Sequence, residues 1–403
     1  MPKMPIHAGR PNPFQPAPGA DPPALIGRGA ELASIDDAAG RIERRGAPTP
    51  IVFFGLRGLG KTVLLNAVRR RTPGGVHLHV EVETGAPLAT SVRNALATLK
   101  SSIEPARVRV RKSVDRALRF LPLPSFELPH DLGAIKLNAP EADDLQSDTP
   151  LGQAIFELNA AITAARSYLV ITIDEIQDVD LAGLRSLVAS VHQSAGSNSP
   201  ILLACAGLPD AERTFLKLRT YVKRWDRFEL SFLTRAETAE AIRIPMSEAG
   251  VIIEEHALSM LVDECAGYPY FIQRFASAAW NRLEGNRISV DTVAEVIPQV
   301  RALVEKLFYV EEFRRLTPRE RLFCKRLAEL GPGSHDLGDV AKAFGVPSSS
   351  ISSIRTNLIR KGVVFSPGSG RIEFRMPLAD RYVREHDLDT GATGTDTGPA
   401  AGQ

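Results

Sequence analysis

The stretch Gly55-Leu-Arg-Gly-Leu-Gly-Lys61-Thr62 constrains this chain more than any other. It carries the full Gly-x-x-x-x-Gly-Lys-Thr spacing of a phosphate-binding loop. Its flanks agree. Ile51-Val-Phe-Phe54 is a short apolar, β-branched and aromatic run that reads as a buried strand, and Lys61 to Arg71 has helical periodicity. The glycines let backbone N–H groups converge on phosphate oxygens, and a helix starting at Lys61 adds its positive end. On this reading Gly55, Arg57, Gly58, Leu59, Gly60, Lys61, Thr62 and Val63 surround the phosphates of a nucleotide. Lys61 reaches the β- and γ-phosphates, and Thr62 offers a hydroxyl to Mg²⁺. A strand–loop–helix of this kind requires an α/β core built on a parallel sheet.

A second signal lies 112 residues further on. Asp174-Glu175 closes the near-continuous apolar run Tyr168-Leu-Val-Ile-Thr-Ile173, as expected for a strand at the centre of a parallel sheet. Both carboxylates then fall at the C-terminal edge of the sheet, where open α/β sheets bind ligands. Asp174 suits Mg²⁺ coordination, directly or through water. Glu175 suits a general base that orients the attacking water. Asp178 and Asp180 read as capping or solvated residues.

The ends of the chain contrast with this body. Eight prolines fall within the first 23 residues. Each removes a backbone donor and fixes φ, so residues 1–23 are expected to be a disordered tail. Residues 387–403 are expected to be another. Alternating strands and helices from 24 to 233 define the core. The segment from 104 to 147 combines a basic stretch with a Pro- and Gly-rich insertion, irregular or hairpin-like. From 234 to 315 the chain reads as helices without strands, a helical lid. Cys205, Cys265 and Cys324 show no paired spacing and read as buried thiols of a reduced compartment. No apolar run is long enough to span a bilayer. A cytoplasmic location with no membrane partner is the expectation.

These features resemble the AAA+ and STAND-type P-loop ATPases, near the Orc1/Cdc6-like group. Leu25-Ile26-Gly27-Arg28 with Glu31-Leu32 is similar to the box that precedes the first strand there, which the resemblance places beside the adenine. Asp174-Glu175-Ile176-Gln177 resembles a Walker B motif ending in Gln. Gly267-Tyr268-Pro269 resembles the boundary of a lid helix. The resemblance implies three further elements. The first is a polar sensor at the end of the fourth strand, where Leu203-Ala-Cys-Ala-Gly207 offers no Asn, Ser or Thr. The second is a sensor arginine on the lid, for which Arg274 stands, with a surface ion pair as the alternative. The third is an arginine finger before the fifth strand. Arg224 is preferred over Arg219 and Arg227, against the alternative that all three are solvated.

The last module, residues 316–386, begins with Thr317-Pro-Arg-Glu320, a capping box with Pro at the first helical position. Two further helices and two short strands around Pro367-Gly-Ser-Gly370 complete a winged helix-turn-helix pattern. From 318 to 384 it holds twelve Lys and Arg against six Asp and Glu. The whole chain is only +2. Its second helix presents Arg355 and Asn357 for base edges, and Arg360 and Lys361 for phosphates. Arg371 sits on the wing.

The expected fold is therefore a P-loop parallel-sheet core with a helical lid and a C-terminal winged helix-turn-helix. The expected activity is Mg²⁺-dependent ATP hydrolysis coupled to double-stranded DNA binding. A homo-oligomer in the ATP state and a protein partner stay open. Two alternatives remain: a STAND-type signalling or defence switch whose winged helix regulates or binds protein, and a transposition or replication helper ATPase.

Overall fold

The computed structural model describes residues 11–17, 19–103, 108–121, 149–196, 199–386 and 388. The chain divides into two compact units, one from Gln15 to Ala241 and one from Ile242 onward that also takes the segment up to Phe14.

The first unit runs α1 (Gly29–Glu43), β1 (Ile51–Phe54), α2 (Lys61–Arg71), β2 (Val76–Glu81), α3 (Leu88–Ser102), α4 (Val108–Phe120), α5 (Pro150–Ala164), β3 (Leu169–Asp174), α6 (Leu181–Ala195), β4 (Ile201–Gly207), α7 (Glu212–Leu216), α8 (Arg219–Val222) and β5 (Asp226–Glu229). Its five strands are all parallel, in the order β2-β3-β4-β1-β5. The apolar run predicted to be central, β3, is fully buried, and so are β1, read as a buried strand, and β4. The register pairs Phe54 with Gly207 and Glu81 with Asp174, so the strand ends converge on one edge. Asp180 caps α6, accepting from the Gly183 N–H at 2.7 Å, as a capping residue should.

The basic stretch from Val108 is helical from its first turn. Val110, Ser113, Val114 and Ala117 are buried at helical spacing, an apolar stripe that faces the core. The insertion expected around 122–138 lies outside the described residues.

The second unit begins inside α9 (Arg235–Glu248) and continues β6 (Ile252–Ile253), α10 (Glu255–Cys265), α11 (Pro269–Trp280), β7 (Arg287–Ile288) and α12 (Val290–Glu305). A π-helical turn, Lys306–Val310, leads into α13 (Glu311–Arg314). Then follow α14 (Pro318–Glu329), β8 (His335–Asp336), α15 (Leu337–Phe344), α16 (Ser348–Arg360), β9 (Val364–Phe365), β10 (Arg371–Phe374) and α17 (Ala379–Glu385). The lid is not strand-free: β6 and β7 form a two-residue parallel pair. β8, β10 and β9 make a three-stranded antiparallel sheet beside α14–α16. This is the winged helix-turn-helix. Thr317 and Glu320 form the capping box in both directions. Gly345 ends α15 at φ 73°, the left-handed turn between the two helices.

Lid and winged helix pack as one unit. The Tyr309 hydroxyl donates to the Pro377 carbonyl at 2.6 Å, and its ring stacks on Tyr382 at 4.8 Å. Glu264 of α10, buried, accepts from Arg301 of α12 at 2.6 Å and from Arg381 of α17 at 3.1 Å. Burial alone would raise the Glu264 carboxyl, but these two guanidiniums hold it below the usual range.

Residues 11–17 and 19–23 are placed against tertiary partners, where their prolines led to the expectation of a disordered tail. The segment is irregular, as Pro dictates, yet Phe14 is buried and Asn12 donates to Ser277 Oγ at 2.9 Å. Further along, the Gly19 carbonyl accepts from Asn66 at 3.2 Å and Asp21 pairs with Arg70. At the other end Leu388 is buried, its carbonyl accepting from Arg321 at 2.9 Å. Tertiary partners hold these pieces, and local propensity does not see them.

Candidate functional site

The loop from Gly55 to Gly60 joins β1 to α2. Gly58 and Gly60 stand at φ 76° and 91°, left-handed conformations that favour glycine. Gly55 is needed for a different reason. A side chain there would come within 3.0 Å of Leu230 Cβ. Leu59 is buried and anchors the loop, Val63 is buried on α2, and Arg57 is exposed.

Lys61 is buried, and its ammonium donates to the Gly55 and Leu56 carbonyls, each at 2.9 Å. Burial pushes its pKa down, while Glu175 and Asp174 pull it back up. The Thr62 hydroxyl donates to Asp174 Oδ2 at 2.6 Å. The two ends of the predicted site, 112 residues apart in sequence, therefore meet directly. Asp174 Oδ1 accepts from the Glu175 N–H at 2.9 Å. Glu175 itself lies at φ 55°, uncommon for a residue with a side chain.

The residues before the first strand fall beside this loop. Arg28 is buried and donates to the Leu59 carbonyl at 3.2 Å and to the Ser231 carbonyl at 2.9 Å. Burial lowers its pKa, against Glu31 and Glu237. It thus fastens the phosphate loop to the segment after β5. Gly27, at φ 70°, has no room for a side chain, which would approach Leu233 Cδ2 to 2.6 Å. Ile26 is half-buried. Arg224 is exposed in the turn before β5.

β4 ends on Ala206 and Gly207, both without polar side chains, as its sequence indicates. The polar group at that strand end comes instead from Gln177, whose Oε1 accepts from the Leu208 N–H at 3.0 Å. Sequence reasoning assigned Gln177 no role. No local signal marks it, because its partner Leu208 lies 31 residues further along the chain.

Residues 24–203 match the family model of the AAA ATPase domain. That stretch has the P-loop parallel-sheet fold. Residues 306–383 match a second model, a domain of unknown function (DUF8462). Among solved structures, the Walker-type ATPase PABY2304 of Pyrococcus abyssi is similar at 15% identity and TM-score 0.57, over 92% of this chain and 99% of that one. The ORC1 protein of Aeropyrum pernix, solved in complex with DNA, aligns at 17% identity and TM-score 0.47, over 91% and 94%. The RuvB Holliday junction branch migration motor of Thermotoga maritima aligns at 18% identity and TM-score 0.44, over 89% and 95%. The matched stretch contains the phosphate loop just described. Among the described residues, no helix is long and apolar enough to cross a membrane.

In the second unit, Arg274 donates to the Tyr270 hydroxyl at 2.8 Å and lies over that ring. On α16, Ser348, Ser349, Ser350, Ser352, Ser353, Thr356 and Arg360 are exposed, with Ile351, Ile354 and Leu358 buried behind them. Arg355 and Asn357 are half-buried, and Arg360 donates to Asn357 Oδ1 at 3.1 Å. Lys361 and Arg371 are held within the module. The Lys361 ammonium donates to Glu320 Oε2 at 2.7 Å. Arg371 donates to the Ser334 hydroxyl at 2.8 Å and to the Ser334 carbonyl.

Proposed function

We propose that this chain binds ATP with Mg²⁺, hydrolyses it, and couples the nucleotide state to duplex DNA binding through its winged helix. The carrying observation is the 2.6 Å contact between Thr62 and Asp174, with Lys61 and Glu175 beside it. A hydroxyl and a carboxylate at this distance are hard oxygen donors, the chemistry Mg²⁺ takes alongside waters and phosphates. When bound, Mg²⁺ neutralises charge on the β- and γ-phosphate oxygens. The loop N–H groups and the N-terminus of α2 hold the phosphates, and Lys61 moves its donors from loop carbonyls to phosphate oxygens. Glu175 takes a proton from water as the water oxygen bonds to the γ-phosphorus. The bond to the bridging oxygen breaks, and ADP leaves with that electron pair. Exposed Arg224 is the group we assign to completing a neighbour's site in an ATP-state oligomer, and Arg274 to sensing nucleotide from the lid.

The DNA reading is supported by the outer face of α16. It presents hydroxyls and Arg360 with no acidic residue anywhere on the helix. Arg355 and Asn357 are the side chains assigned to base edges, and Arg360 to phosphate. Anisotropy of a labelled duplex, with and without ATP and Mg²⁺, tests this in the wild type and in Lys61→Ala. Nucleotide should change DNA affinity in the wild type and leave the variant unchanged. Equal and negligible binding in all four cases would sink the coupling.

The STAND-type switch is a second reading, favoured by one observation. The seven residues of β4 are buried and offer no polar side chain for γ-phosphate sensing. Slow turnover with retained nucleotide would follow.

A further inference from the structure

We propose that Gln177 is the positioning residue for Glu175, replacing the polar side chain that the end of β4 lacks. This rests on the reading of Glu175 as the base. Gln177 lies in the 3-10 turn Ile176–Asp178 directly after Glu175. Its Nε2 donates to Glu175 Oε2 at 2.6 Å, and its Oε1 accepts from the Leu208 N–H at 3.0 Å. The orientation of the amide is fixed by chemistry. A backbone N–H only donates and an ionised carboxylate only accepts, so the oxygen must face Leu208 and the NH₂ must face Glu175.

The turn that carries Gln177 is itself pinned. Ile176 is fully buried against Gly207, where a side chain would stand 2.5 Å from Ile176 Cγ2. The Asp178 N–H donates to the Glu175 carbonyl at 3.0 Å. Glu175 is thereby held at φ 55°, and sparsely populated backbone of this kind persists only where the surroundings over-determine it. One carboxylate oxygen is engaged by Gln177, which leaves Oε1 to accept from a water. Gln177 thus ties the base to the strand that separates β1 from β3.

Single-turnover ATP hydrolysis, equilibrium ATP binding and thermal melting on the full chain test the assignment. Gln177→Met keeps length and volume and removes both hydrogen bonds. It should lower the hydrolysis rate about 10- to 100-fold, the worth of a hydrogen bond to a charged group. ATP affinity should stay within about two-fold, the mark of an interaction that acts only on the transition state. Because Gln177 acts through Glu175, the double variant Glu175→Gln/Gln177→Met should be no slower than Glu175→Gln alone. Three outcomes would overturn the assignment: a wild-type rate in Gln177→Met while Glu175→Gln is inactive, loss of ATP affinity in Gln177→Met, or additive loss in the double variant. Wild-type hydrolysis in Glu175→Gln would instead overturn the reading of Glu175 itself.

Discussion

Lys61 and Lys361 each sit against oxygen acceptors, but the acceptors differ in charge. Lys61 is held by two neutral carbonyls of its own loop. Lys361 is held by the carboxylate of Glu320, which is itself buried. A phosphate oxygen carries more negative charge than a carbonyl and displaces it readily. It gains little over a carboxylate, and displacing Glu320 would leave a buried charge unpaired. The same distinction sorts the winged helix. Arg360 faces the neutral Asn357 amide and stays available for phosphate, whereas Lys361 is committed to holding the module together. The charge of a cation's present partner, more than its own exposure, decides what it is free to bind.

Four substitutions probe that comparison. Lys61→Ala should weaken ATP binding by roughly 100-fold, about 3 kcal/mol, since it removes a desolvated cation from the phosphates. Fluorescent nucleotide titration reads this, and near wild-type affinity would break the comparison at its stronger end. Lys361→Ala should lower stability by about 2 kcal/mol, because Glu320 loses its charge-assisted hydrogen bond. The same variant should change duplex affinity by less than about two-fold, since a cation already held by a carboxylate adds little to a phosphate contact. Denaturant unfolding and anisotropy on one preparation separate the two effects.

Glu264→Gln should cost roughly 1.5 kcal/mol by weakening the contacts to Arg301 and Arg381. The pH dependence has a definite sign. The folded-state pKa of Glu264 is depressed, so its stabilisation is present above the ordinary Glu value of about 4.3 and is lost as pH falls through the folded value. Melting temperature against pH should therefore drop less steeply on acidification in the variant than in the wild type. An identical acid limb in both would remove Glu264 from the account. The smallest effect is expected for Arg360→Ala. It should weaken duplex binding by about 1 kcal/mol and reduce the salt slope by about one. A salt slope equal to that of the wild type would count against phosphate contact at Arg360.

Legibility in the sequence followed the kind of constraint. The phosphate loop was readable because backbone geometry demands particular residues: glycine at Gly58 and Gly60 for positive φ, and Lys61-Thr62 at a helix start. The buried strands were readable because apolar runs of that length have few other uses. Helix α2 begins and ends where its periodicity predicts. The roles of Arg28, Gln177 and Lys361 were not readable. Each is a polar side chain whose partner is brought in from elsewhere: Ser231 for Arg28, Leu208 for Gln177, Glu320 for Lys361. Residues 11–17 and 19–23 failed for the same reason. Their prolines rule out regular structure, and nothing local says that Ser277 and Asn66 will hold them.

From its sequence alone, this protein was bound to have a parallel-sheet core with a phosphate loop, a helical segment and a basic winged module. Those features follow from backbone sterics and from the periodicity of apolar residues, which act over a few positions. Only the tertiary structure decided that Thr62 meets Asp174, that lid and winged helix share one unit, and which basic side chains face solvent. Hydrogen bonds and ion pairs form between whatever groups the fold brings within about 3 Å, and that proximity is not encoded in any local stretch.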